Sequence, residues 1–135
     1  MKKNFSLWII GPSAAGKSTI SKIIYNKIKK ENPSLIIVDG DKVRNLYENK
    51  IGYDKISRSK NTLRYINLAK WLLSYDISSV CAVISPFEID REICRKNIDN
   101  YFEVYLESSR DERVKRDQKK LYLPALKGEK KFVID

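Results

Sequence analysis

The chain has 135 residues and a formal net charge of +10, so its length fits one domain with one core and its charge favours anionic partners. It contains no histidine, which excludes a His-based triad, a His-ligated zinc site and an imidazole general base, and its two cysteines lack the spacing of a metal site or a disulfide framework. No apolar run approaches the ~18 residues of a membrane span, so we expect a cytoplasmic protein with one domain over residues 1–135 and no membrane contact.

The first half of the chain alternates apolar runs with amphipathic segments. In chain order it predicts a strand at 5–10, a helix at 17–30, a strand at 35–38, a short helix to Tyr47 and a loop at 49–54. Each strand stops at turn-forming residues, Gly11-Pro12 after the first and Asp39-Gly40-Asp41 after the second.

The second half continues the alternation. It predicts a helix at 57–74, a strand at 80–84, a helix at 88–97, a strand at 102–106, a charged helix at 109–116, a polar lid at 118–131 and a short last strand at 132–134. In the helix at 57–74, Ser57 is the expected N-cap, and the expected buried stripe is Leu63, Ile66, Ala69, Leu72 and Leu73. This alternation predicts a three-layer α/β/α fold with a mostly parallel sheet and a ligand site beyond the carboxyl ends of its strands.

A complete phosphate-binding motif lies between the first strand and the first helix. It reads Gly11-Pro12-Ser13-Ala14-Ala15-Gly16-Lys17-Ser18 and is followed by Thr19. The loop directs backbone N–H groups towards a phosphate, and the helix N-terminus adds partial positive charge. Lys17 is placed to reach the outer phosphates and Ser18 to ligate magnesium. This pattern predicts ATP and Mg²⁺ as cofactors and a P-loop kinase fold.

Two carboxylates, Asp39 and Asp41, follow the second predicted strand. One could accept a proton from an attacking hydroxyl or orient it, while the other holds metal-bound water; an ordinary Asp-Gly turn is the structural alternative. Arg44 lies one helical turn after Asp41, and Arg58 opens the third helix, so both are candidates for recognising an oxyanion.

These motifs resemble those of the adenylylsulfate (APS) kinases, which use ATP to phosphorylate the 3′-hydroxyl of adenosine 5′-phosphosulfate. The matching segments lie in order along nearly the whole chain. Beyond the phosphate loop they are Val38-Asp39-Gly40-Asp41-Lys42-Val43-Arg44, Ile51-Gly52-Tyr53, Arg58-Ser59-Lys60-Asn61-Thr62-Leu63-Arg64, Ile84-Ser85-Pro86-Phe87, Phe102-Glu103-Val104-Tyr105 and Arg116-Asp117.

The resemblance implies a role for each matching residue. Asp39 would act beside the acceptor hydroxyl as base or orienting group, and Asp41 near magnesium. The residues implied for the acceptor are Arg44, Arg58 and Asn61 at its anionic end, Tyr53 at its base, and Ser85, Pro86, Phe87, Lys119 and Phe132 around it. Arg116 would stack on the ATP adenine, and the segment 118–131 would form the lid. A homodimer is also implied.

Departures from the family pattern concentrate at the acceptor base and the lid. Lys42 stands where the family has asparagine, Asn45 where it has histidine, and Tyr53 where it has phenylalanine. A related kinase acting on another modified nucleotide, such as cytidine diphosphoramidate, is therefore the first alternative. A non-catalytic nucleotide-binding protein is the second. A nucleic-acid-binding ATPase is disfavoured because the basic residues are spread over helices and lid rather than along one groove.

Overall fold

A computed structural model of the protein describes residues 3–49 and 51–116. In chain order the elements are β1 (Ser6–Ile10), α1 (Lys17–Ile28), β2 (Ile36–Asp39), α2 (Gly40–Asn45), α3 (Lys55–Ser74), β3 (Ser79–Val83), α4 (Glu88–Asn97), β4 (Tyr101–Tyr105) and α5 (Arg110–Lys115). The predicted lid at 118–131 and the predicted strand at 132–134 lie outside the described residues, and one domain over the full chain stays a prediction. Within the described part, no helix combines the length and apolarity needed to cross a bilayer.

The four strands form one parallel sheet in the order β2-β3-β1-β4. The central strand β1 pairs with both β3 and β4, so that Ile9 lies beside Ala82 on one side and Val104 on the other. Because all strands run the same way, their carboxyl ends meet at one edge of the sheet, where ligands bind in such folds. The predicted α/β class of P-loop kinases is confirmed.

The two faces of the sheet carry two separate apolar clusters, because successive side chains of a strand point to opposite faces. On one face, Trp8 packs with buried residues of α3 and α4, among them Ile66 and Cys94. On the other face, Ile9 packs with the partly buried isoleucines of α1. Trp8 and Ile9 have no exposed surface, and burying each such side chain contributes roughly 1.5–3 kcal/mol. Helices thus cover both faces, as the three-layer prediction requires.

Helix α3 corrects two details of the sequence analysis. It begins at Lys55, and its N-cap is Asp54 rather than Ser57, because the Asp54 carboxylate accepts hydrogen bonds from the backbone N–H of Ser57 at 3.0 Å and from its hydroxyl at 2.6 Å. These bonds lower the pKa of Asp54 below its usual value. The predicted stripe is wrong at Leu63, which is 44% exposed.

The residue that the stripe missed on α3 is Tyr65, which is 7% exposed. The buried face of the helix passes through positions 58, 62, 65, 69 and 72, one or two places out of step with Leu63. Three of these positions carry residues with polar groups, because this part of the face lines a cavity as well as the core. A search for apolar periodicity therefore does not detect the face.

Candidate active site

The loop between β1 and α1 has the geometry of a phosphate cradle. Gly16 serves as the N-cap of α1 with φ 97°, a left-handed conformation that favours glycine, and it supplies no side-chain cap. The first turn of α1 carries no acidic residue, so the positive end of the helix dipole is not neutralised locally. The Lys17 ammonium folds back over the loop and donates to the Pro12 carbonyl at 2.5 Å. The arrangement presents a cation and a helix N-terminus at the end of β1.

Asp39 connects this loop to the end of β2. Its Oδ2 accepts a 3.0 Å hydrogen bond from the Ser18 hydroxyl. Its Oδ1 accepts from the backbone N–H of Asp41 at 3.0 Å and, more weakly, from that of Lys42 at 3.5 Å, which makes Asp39 the N-cap of α2. Both oxygens of one carboxylate are therefore oriented, one towards the phosphate loop and the other towards α2.

A cavity of about 260 Å³ opens at the carboxyl ends of the strands. It brings together the phosphate loop, the α2 turn and the start of α3. The predicted site residues that line it are Ser13, Ala14, Gly16, Lys17, Ser18, Thr19, Asp41, Arg44, Tyr53, Arg58, Asn61, Ser85, Pro86 and Arg116. The lining is completed by six residues that were not predicted as site residues: Gly40, Thr62, Tyr65, Ala82, Val83 and Ile84.

Four predicted site residues within the described part are not in that lining: Gly11, Ala15, Asp39 and Phe87. Gly11 and Ala15 are buried inside the loop, so they shape the backbone that faces the cavity. Asp39 does not line the cavity itself, but it accepts a hydrogen bond from Ser18, which does. Phe87 is half-buried at the N-cap position of α4. Lys119 and Phe132 fall outside the described residues.

Two arginines hold the segment that precedes α3. Arg44 donates to the carbonyl oxygens of Ile51 and Gly52, and the Arg58 Nε donates to the Tyr53 carbonyl at 2.8 Å. The two guanidinium groups also lie 4.3 Å and 5.5 Å from the centre of the Tyr53 ring. The predicted anion-binding arginines and the predicted base-contacting aromatic are thus one interacting group, stabilised by cation–π contacts.

Two buried polar atoms in residues that line the cavity have no hydrogen-bond partner. They are Asn61 Oδ1 and Ser85 Oγ, in side chains that are 5% and 2% exposed. Ser85 also adopts φ 40°, and Arg91 donates to its carbonyl at 2.9 Å. Leaving a buried polar atom unpaired costs about 1–3 kcal/mol of stability. Residues with strained backbone angles occur mainly at functional positions. A bound ligand that hydrogen-bonds these atoms would recover that cost.

Arg116 lines the cavity beside the phosphate loop. Its Nη1 donates to the Ala14 carbonyl in the phosphate loop at 3.5 Å, and its Nη2 lies 3.7 Å from a Glu112 carboxylate oxygen. The side chain is half exposed, so part of it can still contact a ligand. This position agrees with the predicted adenine contact, whose role stays a prediction.

Comparison with known proteins identifies the family. The model of the adenylylsulphate kinase family matches residues 3–134 of the chain. The chain belongs to this family. Membership makes it a kinase, a phosphotransferase acting on a hydroxyl group.

Individual members of the family cover most of the chain. It is 37% identical over 127 residues to a probable adenylyl-sulfate kinase of Archaeoglobus fulgidus, covering 93% of this kinase and 81% of that one. It is 35% identical over 130 residues to the cytidine diphosphoramidate kinase of Campylobacter jejuni, covering 96% and 76%.

A solved structure gives the same fold with ligands bound. The Mycobacterium tuberculosis APS kinase in complex with AMPPNP and APS superimposes with a TM-score of 0.84 at 27% identity, covering 96% of this kinase and 78% of that chain.

Proposed function

We propose that this kinase transfers the γ-phosphoryl group of ATP to the 3′-hydroxyl of adenosine 5′-phosphosulfate. The observation that carries the proposal is one cavity with the phosphate loop on one wall, two arginines on the other and the Asp39–Asp41 turn between them. Phosphoryl transfer needs mainly positioning and charge stabilisation, and this arrangement supplies both.

On the donor side, Lys17 and the N-terminus of α1 would hold the β- and γ-phosphates. The Lys17 ammonium donates to the Pro12 carbonyl at 2.5 Å. When ATP binds, phosphate oxygens would replace this carbonyl as the acceptor. Phosphate oxygens carry negative charge and the Pro12 carbonyl does not, so the ammonium gains attraction between opposite charges and the exchange favours the ligand.

Magnesium fits the oxygen groups beside the loop. The Ser18 hydroxyl and an Asp39 carboxylate oxygen lie 3.0 Å apart, and Asp41 stands in the first turn of α2. Among residues 3–49 and 51–116 there is no cluster of three or more acidic, Cys or His side chains. A site with few protein ligands is what magnesium uses when substrate phosphates complete its shell. When bound, the ion would neutralise charge on the transferring phosphoryl group.

On the acceptor side, Arg44 and Arg58 would bind the anionic phosphosulfate end and Tyr53 would pack on the base. The unpaired oxygens of Asn61 and Ser85 add hydrogen-bonding capacity beside them, with Pro86 and Phe87 following in the same segment. Asp39 would orient the acceptor hydroxyl or accept its proton, because its carboxylate is held at the junction between the two walls.

Cytidine diphosphoramidate is a second candidate acceptor. The observation that favours it is the 35% identity to the Campylobacter jejuni kinase over 96% of this chain. Such an acceptor keeps an anionic end for the two arginines and differs from adenosine 5′-phosphosulfate at the base, next to Tyr53.

The test is ADP release with a panel of acceptors: adenosine 5′-phosphosulfate, cytidine diphosphoramidate, and AMP and CMP as unmodified controls. Mass spectrometry of the products identifies the phosphorylated nucleotide. We expect turnover with adenosine 5′-phosphosulfate at least about tenfold above AMP, which corresponds to one or two charge-assisted hydrogen bonds. A preference for the cytidine compound selects the second candidate. Absence of turnover with every acceptor, alongside AMPPNP binding, identifies a non-catalytic nucleotide-binding protein.

A further inference from the structure

The side of the cavity formed by Arg44, Tyr53, Arg58, Asn61 and Ser85 is called the acceptor wall. Tyr65 connects α3, the helix of this wall, to the turn that carries the two carboxylates. It lies on α3 and lines the cavity, yet it is only 7% exposed. Its hydroxyl donates a 3.1 Å hydrogen bond to the Gly40 carbonyl oxygen. Because Gly40 separates Asp39 from Asp41, this bond is made at the centre of the turn.

The turn is tightly packed around Gly40. A Cβ atom added to Gly40 would lie 3.1 Å from the Ala82 carbonyl oxygen and 3.2 Å from the Tyr65 hydroxyl, both closer than ordinary van der Waals contact. On its other side the turn is held by the bond between Ser18 and Asp39. Two other elements therefore hold the turn by side-chain hydrogen bonds: the phosphate loop at the Asp39 carboxylate and α3 at the Gly40 carbonyl.

We propose that Tyr65 is a positioning residue whose hydrogen bond to Gly40 holds the Asp39–Asp41 turn against the phosphate loop. This inference rests on the proposed function of the same site. The aromatic ring fills volume with or without its hydroxyl, so the hydroxyl acts on orientation rather than on packing. Burial raises the pKa of Tyr65 to about 12, and the phenol therefore remains a protonated donor throughout the neutral range.

The decisive variant is Tyr65→Phe, with Tyr101→Phe as its matched control. Tyr101 is partly buried and its hydroxyl also donates a hydrogen bond, to Glu103, but it begins β4 at the end of the sheet opposite the cavity. Each protein is measured by calorimetric binding of AMPPNP with and without Mg²⁺, by steady-state kinetics and by thermal melting.

For Tyr65→Phe we expect kcat to fall by about tenfold to a hundredfold, the scale of a small misplacement of reacting groups. The KM of the acceptor should change by less than about twofold, since the bond does not involve the arginines that would bind it. The gain in AMPPNP affinity on adding Mg²⁺ should shrink several-fold, while the metal-free affinity stays at its wild-type value and the melting temperature falls by no more than the few degrees that one buried hydrogen bond contributes. Tyr101→Phe should match the wild type in kcat and in both affinities.

A double variant separates positioning from a general structural effect. If Tyr65 acts through the turn, Tyr65→Phe should cost much less in an Asp39→Asn background than in the wild type, because contacting groups are not additive. Three outcomes would overturn the inference. They are full additivity of the two substitutions, wild-type behaviour of Tyr65→Phe, and a loss of metal-free affinity that follows a lower melting temperature. A Tyr65-dependent magnesium effect without turnover of any acceptor would support the inference and reject the proposed reaction.

Discussion

The two walls of the cavity are built on different principles. The phosphate wall is fixed by backbone and by mutual contacts, with Gly16 in a left-handed turn and Ser18 bonded to Asp39. The acceptor wall carries side chains whose buried oxygens lack partners, Asn61 and Ser85, and arginines that bind a connecting segment rather than a helix or strand.

This contrast indicates where substrate identity is encoded. Backbone N–H groups and a helix N-terminus recognise any triphosphate tail, so the phosphate wall specifies a chemical group. The proposed acceptor wall would use individual side chains, so replacing one of them should change which acceptor it binds. Substitutions on the two walls should therefore have different kinetic signatures.

The largest effect is expected on the phosphate wall, from Lys17→Ala. Removing the ammonium that would stabilise the transferring phosphoryl group should lower kcat by about a thousandfold, the upper range for loss of one preorganised electrostatic group. Steady-state ADP release measures this, with Lys22→Ala on the exposed side of the same helix as control. Comparable losses in both variants would contradict the role of Lys17.

Asp39→Asn tests the junction between the walls and should lower kcat by about a hundredfold, within the range for a group that orients or deprotonates a nucleophile. AMPPNP binding without magnesium should stay close to wild type, since the amide can still cap α2 through its oxygen. Turnover and calorimetry measure the two effects, with the exposed Asp76→Asn as control. A fully active Asp39→Asn enzyme would remove Asp39 from the mechanism.

Arg58→Ala addresses the acceptor wall. Loss of its guanidinium should raise the acceptor KM by about ten- to a hundredfold, as charge-assisted hydrogen bonds contribute about 1.5–3 kcal/mol, and should leave the KM of ATP within twofold. Arg58 also donates to the Tyr53 carbonyl, so Arg58→Lys is the variant that keeps charge without the planar fork. An equal rise in both KM values would show that the walls are not independent.

The smallest effect is expected from Tyr53→Ala, on the same wall. The ring is 40% exposed and contacts both arginines, and an exposed cation–π contact contributes about 0.5–1 kcal/mol. The acceptor KM should therefore rise about two- to fivefold with little change in kcat. Tyr75→Ala, at the exposed end of α3, is the control. An unchanged KM for both acceptors would exclude Tyr53 from base recognition.

Local sequence patterns anticipated much of this architecture. The phosphate motif placed Gly16 correctly at the end of the loop and Lys17 and Ser18 in the first turn of α1, because that geometry depends on residues adjacent in sequence. Four of the five predicted strands lie within the described residues, and each is present within a residue or two of its predicted ends. The predicted N-cap of α3 at Ser57 is wrong, because the Asp54 side chain caps the helix instead. The predicted burial of Leu63 is wrong, because the buried side of a helix depends on which face the sheet covers.

Tyr65 shows why other parts of the site could not be predicted without the tertiary structure. Its role depends on a hydrogen bond to Gly40 across 25 residues, and no periodicity signals such a contact. The same holds for the Ser18–Asp39 bond, and for the unpaired oxygens of Asn61 and Ser85, which are defined only by what surrounds them.

By itself, the sequence determined the fold class, the phosphate loop and the resemblance to a kinase family, because each is written in short runs of adjacent residues. Other contacts depend on the tertiary structure: both oxygens of Asp39 accept hydrogen bonds, Arg44 and Arg58 contact one tyrosine ring, and Tyr65 reaches the Asp39–Asp41 turn. These are distances between elements far apart in the chain, and they are set by how the strands order themselves in the sheet rather than by any local preference.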